Sequence, residues 1–374
     1  MKINTILAVK DGNMVGTVRR FLGSLLEKHI IDALLVPQEI AHGYSLAQTL
    51  VRNPAHLSRA NPFSPVMLVN SATLVSRLTA DKPRQKLGAV LRPCEHRALI
   101  ELVKLQQASV ENLTIIGIDC LGTGEVTDYA RLIDETEGPE EERGTRVVAQ
   151  LQRRIMEGSN EPLPIPLRPA CQMCDFPTPQ GSDITLGLIG VEEGILITLE
   201  SELAAKLGLE EGEAPNREEA IARLVATHST AREQAYAQFR EEVKDIANFA
   251  DKFATCILCY SCSVACPICF CKECFLRTPT FEPESERYFE WAERKGVLKM
   301  PTDTLLYQLT RLNHMVASCV GCGLCESACP SKIPLTVIFR AVGDGVQKML
   351  DYIPGRSLED KLPVLTAFTQ IGGG

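Results

Sequence analysis

Eleven of the chain's fifteen cysteines lie between Cys256 and Cys329, at regular spacing. Cys256, Cys259, Cys262 and Cys266 follow C-x2-C-x2-C-x3-C, with Pro267 next. Cys319, Cys322, Cys325 and Cys329 repeat the pattern, with Pro330 next. This is the run found in bacterial two-cluster ferredoxins. Three cysteines two residues apart wrap a tight loop that offers three thiolates to one iron–sulfur cubane. The fourth opens a helix and points toward the other cubane. The spacing predicts Cys256, Cys259, Cys262 and Cys329 around one [4Fe–4S] cluster, and Cys319, Cys322, Cys325 and Cys266 around a second. Zinc knuckles pair two C-x2-C units a dozen or more residues apart, which fits neither run. Disulfides belong to oxidising compartments. Ser261, Ser263, Gly321 and Gly323 are small enough to let backbone N–H groups approach the sulfurs and tune their potential.

The gap between Cys266 and Cys319 far exceeds a compact ferredoxin linker, so an insertion is expected over 267–317. It holds Cys269, Cys271 and Cys274. These read either as part of another metal site, with His314, a carboxylate or a partner's group as fourth ligand, or as small buried side chains and alternative ligands. Four cysteines remain. Cys94 follows one strand-like run, Cys120 ends another, and Cys171 and Cys174 form a lone C-x2-C. Strand ends gather at one sheet edge, where cofactors bind. Four thiols there could hold a further cubane or remain ordinary side chains.

These residues need elements to position them. Short β-branched runs at Ile3–Val9, Ile31–Val36, Val66–Val69, Leu87–Leu91, Leu113–Ile118 and Ile184–Leu199 read as strands. Segments of helical period, such as Val15–Lys28 and Ala98–Leu105, lie between some of them. Asp134–Arg143 and Glu210–Pro215 are acidic and read as loops. Asn216 with Glu219 three residues on resembles a capping box, and the apolar positions Phe239, Val243, Ile246, Phe249 and Phe253 predict a long helix with one buried face. Leu335–Leu350 reads as a last helix. The expected organisation is an α/β domain over 1–214, a connector helix over 215–254, a ferredoxin-like α+β domain over 255–335 with its insertion, and a C-terminal helix and tail over 336–374.

The chain has 374 residues and a net charge of −8. An acidic balance argues against a nucleic-acid partner, and no apolar run reaches membrane-span length. MKINTILAVKDG lacks a signal peptide's features, so a cytoplasmic location is expected. No G-x-G-x-x-G follows the first strand and no P-loop occurs. Nor does any Ser/His/Asp set propose hydrolysis. Arg92 reads either as a partner for a cofactor phosphate or carboxylate or as a surface arginine. His96, next to Glu95, reads either as a residue near the cluster or as an ordinary surface or satisfied histidine. Glu284–Arg294, with Tyr288, Phe289 and Trp291, reads as a packed insertion helix or a docking face.

Several stretches resemble the beta subunits of the coenzyme F420-reducing hydrogenases and formate dehydrogenases. They are Asp11-Gly12 before the helix at Val15, Asn61-Pro-Phe-Ser-Pro65, Lys86-Leu-Gly-Ala-Val-Leu-Arg-Pro-Cys94-Glu95, Ile115-Ile-Gly-Ile-Asp-Cys120, and Cys171-Gln-Met-Cys174 with Ser182-Asp-Ile-Thr-Leu-Gly187. The formate dehydrogenase members also resemble this chain in carrying a C-terminal ferredoxin-like part with a CP-x-C-x-C-x2-C extension. The resemblance implies a third [4Fe–4S] cluster on Cys94, Cys120, Cys171 and Cys174. It also implies FAD contacts from Asp11, Gly12, Asn13, Gly16, Thr17, Asn61, Pro62, Phe63, Ser64, Arg92, Pro93 and Glu95. FAD would exchange a hydride with a soluble two-electron carrier, coenzyme F420. The cubanes would pass single electrons to a formate dehydrogenase, a hydrogenase or a heterodisulfide-reductase-like partner. Asn13 stands where the family's second glycine would be, and Glu95 where the family commonly has an amide. The altered first loop leaves a second expectation, a flavin-free module that only wires two larger subunits together.

Overall fold

The computed structural model describes residues 1–9, 12–40, 45–81, 83–158, 162–192, 194–281, 284–296 and 302–363. Seven strands form one mixed sheet: β1 (Lys2–Leu7), β2 (Ala33–Glu39), β3 (Leu46–Val51), β4 (Leu87–Leu91), β5 (Leu113–Ile118), β6 (Ile184–Gly187) and β7 (Ile195–Glu200). Their order across the sheet is β1-β7-β6-β5-β4-β2-β3. In the first half lie α1 (Met14–Glu27), α2 (Ser71–Thr79), α3 (Pro93–Lys104), α4 (Val126–Glu135), α5 (Glu140–Glu157) and α6 (Pro169–Gln172). Then come α7 (Ser201–Leu207), α8 (Arg217–Glu242), α9 (Ile246–Asp251) and α10 (Ser261–Val264). The last are α11 (Ser285–Lys295), α12 (Thr304–Met315), α13 (Leu324–Ser327) and α14 (Leu335–Met349).

β2, β4, β5 and β6 run parallel, β7 is antiparallel to both β6 and β1, and β3 is antiparallel to β2. β1 therefore points the same way as the parallel set, so five strands end at one edge. The loop into α1, Cys94 and Cys120 all follow strands that end there. Alternation along the strands sends Leu34, Val36, Val90 and Ile116 to one face, where α1 packs, and Leu35, Ala89, Leu91 and Ile115 to the other. Phe253, Leu312, Ile338 and Phe339 join that second cluster, so the cysteine-rich part shares its core with the sheet. Each such side chain contributes roughly 1.5–3 kcal/mol on burial, which fixes the two cysteine-bearing regions against each other.

The strands at Leu87–Leu91 and Leu113–Ile118 have the expected bounds. Val66–Val69 is not a strand: Val66 makes a single bridge to Gly124, and Asn70 already caps α2 through Ala72 N. β3 was not expected, because LAQTLV is an edge strand with little apolar pattern. The connector is two helices, not one. α8 stops at Glu242, and Asp245 starts α9 by accepting from Asn248 N at 2.8 Å, since aspartate is a strong N-cap. Asn216 caps nothing with its side chain and instead donates to Glu192. The second half of the acidic stretch Asp134–Arg143 opens α5 rather than a loop. α11 carries no buried residue and Phe289 is 74% exposed, so this segment is not a packed helix. No helix among the described residues is long and apolar enough to cross a membrane.

Candidate metal centres

The two ferredoxin runs share one backbone device. Leu258 and Tyr260 have φ of 52° and 60°, and the corresponding Gly321 and Gly323 have 72° and 73°. Left-handed residues at these two places curl the loop around a centre. For Leu258 and Tyr260 that geometry costs roughly 1–2 kcal/mol each, strain of a kind that gathers at functional sites. Cys256, Cys259, Cys262 and Cys329 line one cavity. Cys266 faces Cys319, Cys322 and Cys325 across the second site. Cys329 thus lies with the cysteines of the first run and Cys266 with those of the second.

The first site lies nearer the surface, with Cys259 exposed. A hydrogen bond from the Ser261 hydroxyl holds the Cys259 thiol below its usual range. The second site is deeper. Burial pushes the Cys322 thiol up to about 12 and moves Cys319 and Cys325 in the same direction. Thiols so desolvated stay protonated near neutrality until a metal displaces their protons.

Cys94, Cys120, Cys171 and Cys174 line a third cavity, whose wall also includes Gly321 and Cys322 of the second run. Cys94 sits in the first turn of α3, at the positive end of the helix dipole. Cys171 receives the Thr123 backbone N–H at 3.4 Å and lies 3.3 Å from the Thr123 hydroxyl. Arg168 Nε donates to that same hydroxyl oxygen at 2.9 Å, so the hydroxyl proton is directed at the sulfur. Gly323 lets the second run approach α6, because a Cβ there would collide with the Ala170 side chain.

Arg92 and Arg168 line this third cavity, and Arg97 and Arg340 lie near its Cys174. Arg92, 3% exposed, is not a surface arginine: it donates to the carbonyls of Ser64 and Val66 at 2.7 and 2.9 Å. Arg97 donates to the carbonyls of Pro354 and Val320 and stacks on Phe176. Arg168 and Arg340 complete the set, Arg340 through Met173 O and Asp175. Spacing did not single out Arg97, Arg168 or Arg340. Arg97 and Arg168 each lie three residues from a cysteine, a one-turn offset that could have drawn notice.

Sets of four soft thiols beside cations fit an anionic cubane. Among the described residues no three His, Cys, Asp or Glu side chains converge as they would on a single ion. Cys269, Cys271 and Cys274 sit beside Cys266, and burial pushes Cys269 up to about 11, but they do not close a site of their own.

The described residues among those expected at the flavin lie in several settings. Asp11 lies outside the described residues. Gly12 lines, with Met14, a cavity of about 680 Å³ walled by Val9, Gln152, Arg153 and Val191. Asn13 caps α1 by accepting from Gly16 N at 2.7 Å, and the Thr17 hydroxyl donates to Asn13 O. Asn61, Pro62, Phe63 and Ser64 are buried. Asn61 Nδ2 donates to Glu39 at 2.7 Å, while its Oδ1 finds no partner among the described residues. Gly144 of α5 packs against this pair, where a Cβ would collide with Glu39. Glu95 accepts from Ser71 N, Ser71 Oγ and Arg92 N, tying α2 to α3. Arg92 and Pro93 line the third cysteine cavity instead. His96 is buried, and burial lowers its pKa to about 4.

Residues 252–333 match the family model of a 4Fe-4S dicluster domain. A subunit beta of F420-dependent formate dehydrogenase from Methanocaldococcus jannaschii is 28% identical over 378 residues, covering 94% of this chain and 93% of that one. The subunit beta of F420-dependent formate dehydrogenase 1 from Methanococcus maripaludis is 27% identical over 389 residues, covering 95% and 94%. A chain of the F420-reducing [NiFe] hydrogenase complex from Methanosarcina barkeri superposes with a TM-score of 0.44 at 10% identity, covering 63% of this chain and 92% of that one, too distant to carry an argument. Over nearly its whole length, then, the chain is similar to the beta subunits of F420-dependent formate dehydrogenases.

Proposed function

We propose that the chain is an electron-transfer subunit of an oxidoreductase complex, with three [4Fe–4S] clusters and an FAD, working between coenzyme F420 and a partner such as a formate dehydrogenase catalytic subunit. One observation carries the reading. The cavity bounded by Cys94, Cys120, Cys171 and Cys174 is also bounded by Cys322 of the second ferredoxin site. Cys266, a ligand of that second site, lies four residues from Cys262 of the first. The sulfur sets thus succeed one another from the sheet edge to the exposed Cys259, which suits a path for single electrons to or from a docked partner. A cubane, when bound, carries one electron at a time, and a flavin converts such steps to the two-electron transfer of a hydride carrier.

The protein's own part is positional. Arg97 and Arg168 offset the charge of thiolates removed from water, with a smaller share from Arg92 and Arg340, each of which also faces a carboxylate. The Thr123 hydroxyl and N–H orient Cys171. The Glu95 carboxylate fixes the turn that presents Cys94. Room for a flavin is offered by the cavity of about 680 Å³ at the start of α1, where Gly12 and Arg153 suit a diphosphate. The names of the two formate dehydrogenase relatives support the carrier and the partner.

Anaerobically purified protein should hold about twelve irons per chain, four per cubane, and a flavin spectrum that reduced coenzyme F420 bleaches. About eight irons would remove the third centre. Full iron with no uptake of added FAD would remove the hydride step. A second reading, a flavin-free wiring subunit between hydrogenase or heterodisulfide-reductase-like partners, draws on the closed contacts of Asn13, Thr17 and Glu95. Dye reduction by the deazaflavin would exclude it.

A further inference from the structure

Both ferredoxin sites rest against α12, a helix of the insertion that no spacing argument connects to the clusters. Its buried face is Tyr307, Gln308, Arg311, Leu312 and Met315. Tyr307 Oη lies 3.6 Å from Cys262 Sγ, and Gln308 Nε2 lies 3.6 Å from Cys256 Sγ. Two sulfurs of the first site therefore face donors from this helix. Arg311 is 4% exposed. Its Nη2 donates to the Cys262 carbonyl at 3.0 Å, and the guanidinium lies over the Phe339 ring at 4.6 Å. Its Nε and Nη1 are buried with no acceptor among the described residues. The anion-forming groups that face it are Cys262 of the first site, Cys325, Cys266 and Cys319 of the second, Tyr307, and Cys269 of the insertion. A buried guanidinium left this way is costly unless an anion compensates it. Most of the anions within reach are sulfurs of the two sites.

We propose that Arg311 is the shared counter-ion of the two ferredoxin clusters, raising both reduction potentials, while Tyr307 and Gln308 raise that of the first alone. The reading rests on residues 252–333 holding two cubanes. Reduction adds negative charge to a cluster, so a fixed cation favours the reduced form, and more strongly where water is excluded. Hydrogen bonds to the cysteine sulfurs act in the same direction.

The test is an anaerobic redox titration of the full-length chain, followed by electron paramagnetic resonance with iron counted in each sample. Arg311→Gln should lower both midpoints by at least about 28 mV, a threefold change in the reduced-to-oxidised ratio at about 59 mV per decade. Arg311→Lys, which keeps the charge, should lie closer to the wild type. Tyr307→Phe and Gln308→Leu should lower one midpoint and leave the other. Iron-replete Arg311→Gln with both midpoints unchanged, or with only one moved, overturns the proposal. Should Arg311→Gln lose its iron, Tyr307→Phe and Gln308→Leu decide: a selective fall in one midpoint supports the role of α12, and no fall in either overturns it. A wild-type chain without two reducible clusters would instead remove the reading underneath.

Discussion

Replacing Asp119 by Asn should detach the end of β5 and release the third centre while leaving the two ferredoxin centres. The Asp119 side chain is 0% exposed and is paired to Arg217, which is 11% exposed. Oδ2 accepts from Leu188 N at 2.8 Å, Ile189 N at 2.9 Å and Arg217 Nη1 at 2.6 Å, and Oδ1 accepts from Arg217 Nη2 at 2.9 Å. One carboxylate thus joins β5, the turn after β6 and the start of α8, one residue before Cys120. An amide keeps a single acceptor oxygen for the two backbone donors and turns its N–H groups toward the guanidinium. Breaking a buried pair costs about 3–5 kcal/mol. Arg217 can turn partly to water, so the lower end applies, about 3 kcal/mol. That is a large share of a typical stability of about 5–15 kcal/mol. Denaturant unfolding of Asp119→Asn, Arg217→Met and the double variant should show a coupling of roughly 1–3 kcal/mol. Iron should fall from about twelve to about eight per chain with both ferredoxin signals kept. An Asp119→Asn protein within about 0.5 kcal/mol of wild type, with its iron complete, would refute the reasoning.

Gly323→Ala should destabilise by about 1–2 kcal/mol for the left-handed backbone plus about 1–3 kcal/mol for the collision with Ala170, and adding Ala170→Gly should recover only the second part, read as thermal midpoints. His96 is held neutral by burial, its pKa lowered from 6.5 to about 4. Its contribution is present above pH 6.5 and is lost as pH falls through about 4, amounting to about 3 kcal/mol. The thermal midpoint of His96→Gln should therefore fall less than wild type between those pH values. Burial pushes Cys322 up to about 12, so reconstitution with iron and sulfide should release protons and quicken from about pH 7 to about pH 9, read with a pH indicator and by cluster absorbance.

Legibility in the sequence followed how local each signal was. The two ferredoxin runs were complete in the spacing of eight cysteines, because a loop that wraps a cubane is a local object. The placing of Cys329 beside the first run and Cys266 beside the second was also legible, since the fourth cysteine lies beyond its own loop. Cys94 and Cys120 each follow a parallel strand, so their meeting depends on the sheet order, and resemblance rather than spacing connected them to Cys171 and Cys174. The break after Glu242 was hidden because the apolar positions Phe239, Val243, Ile246, Phe249 and Phe253 continue across it. Asp245 outweighs that periodicity by capping a new helix. The core shared between sheet and ferredoxin part was hidden too, because inward alternation does not say what will cover a face. The flavin residues were the hardest. Asn13, Thr17 and Glu95 each complete a helix start, a local role that the same residue types serve whether or not a cofactor lies beside them.

The arginines show why residue identity near a cluster means little until its partners are known. A guanidinium that donates to a carboxylate has its charge largely cancelled, whereas one that donates to carbonyl or hydroxyl oxygens keeps it. Arg217 and Arg232 are of the first kind, paired to Asp119 and Asp175. Arg97 and Arg311 are of the second: their partners are backbone carbonyls and an aromatic face. Arg168 is close to that kind, held by Thr123 and Ser327. Arg97, Arg168 and Arg311 are buried beside the sulfur sets. A bare carbonyl cage around a guanidinium would be a poor structural device, since a neutral side chain of similar volume would fill it without the desolvation cost. The same cage serves an anion next to it, because it fixes the cation in place without neutralising it. That asymmetry connects Arg97, Arg168 and Arg311 to the centres they face, and it separates them from the ion pairs that only hold the fold together.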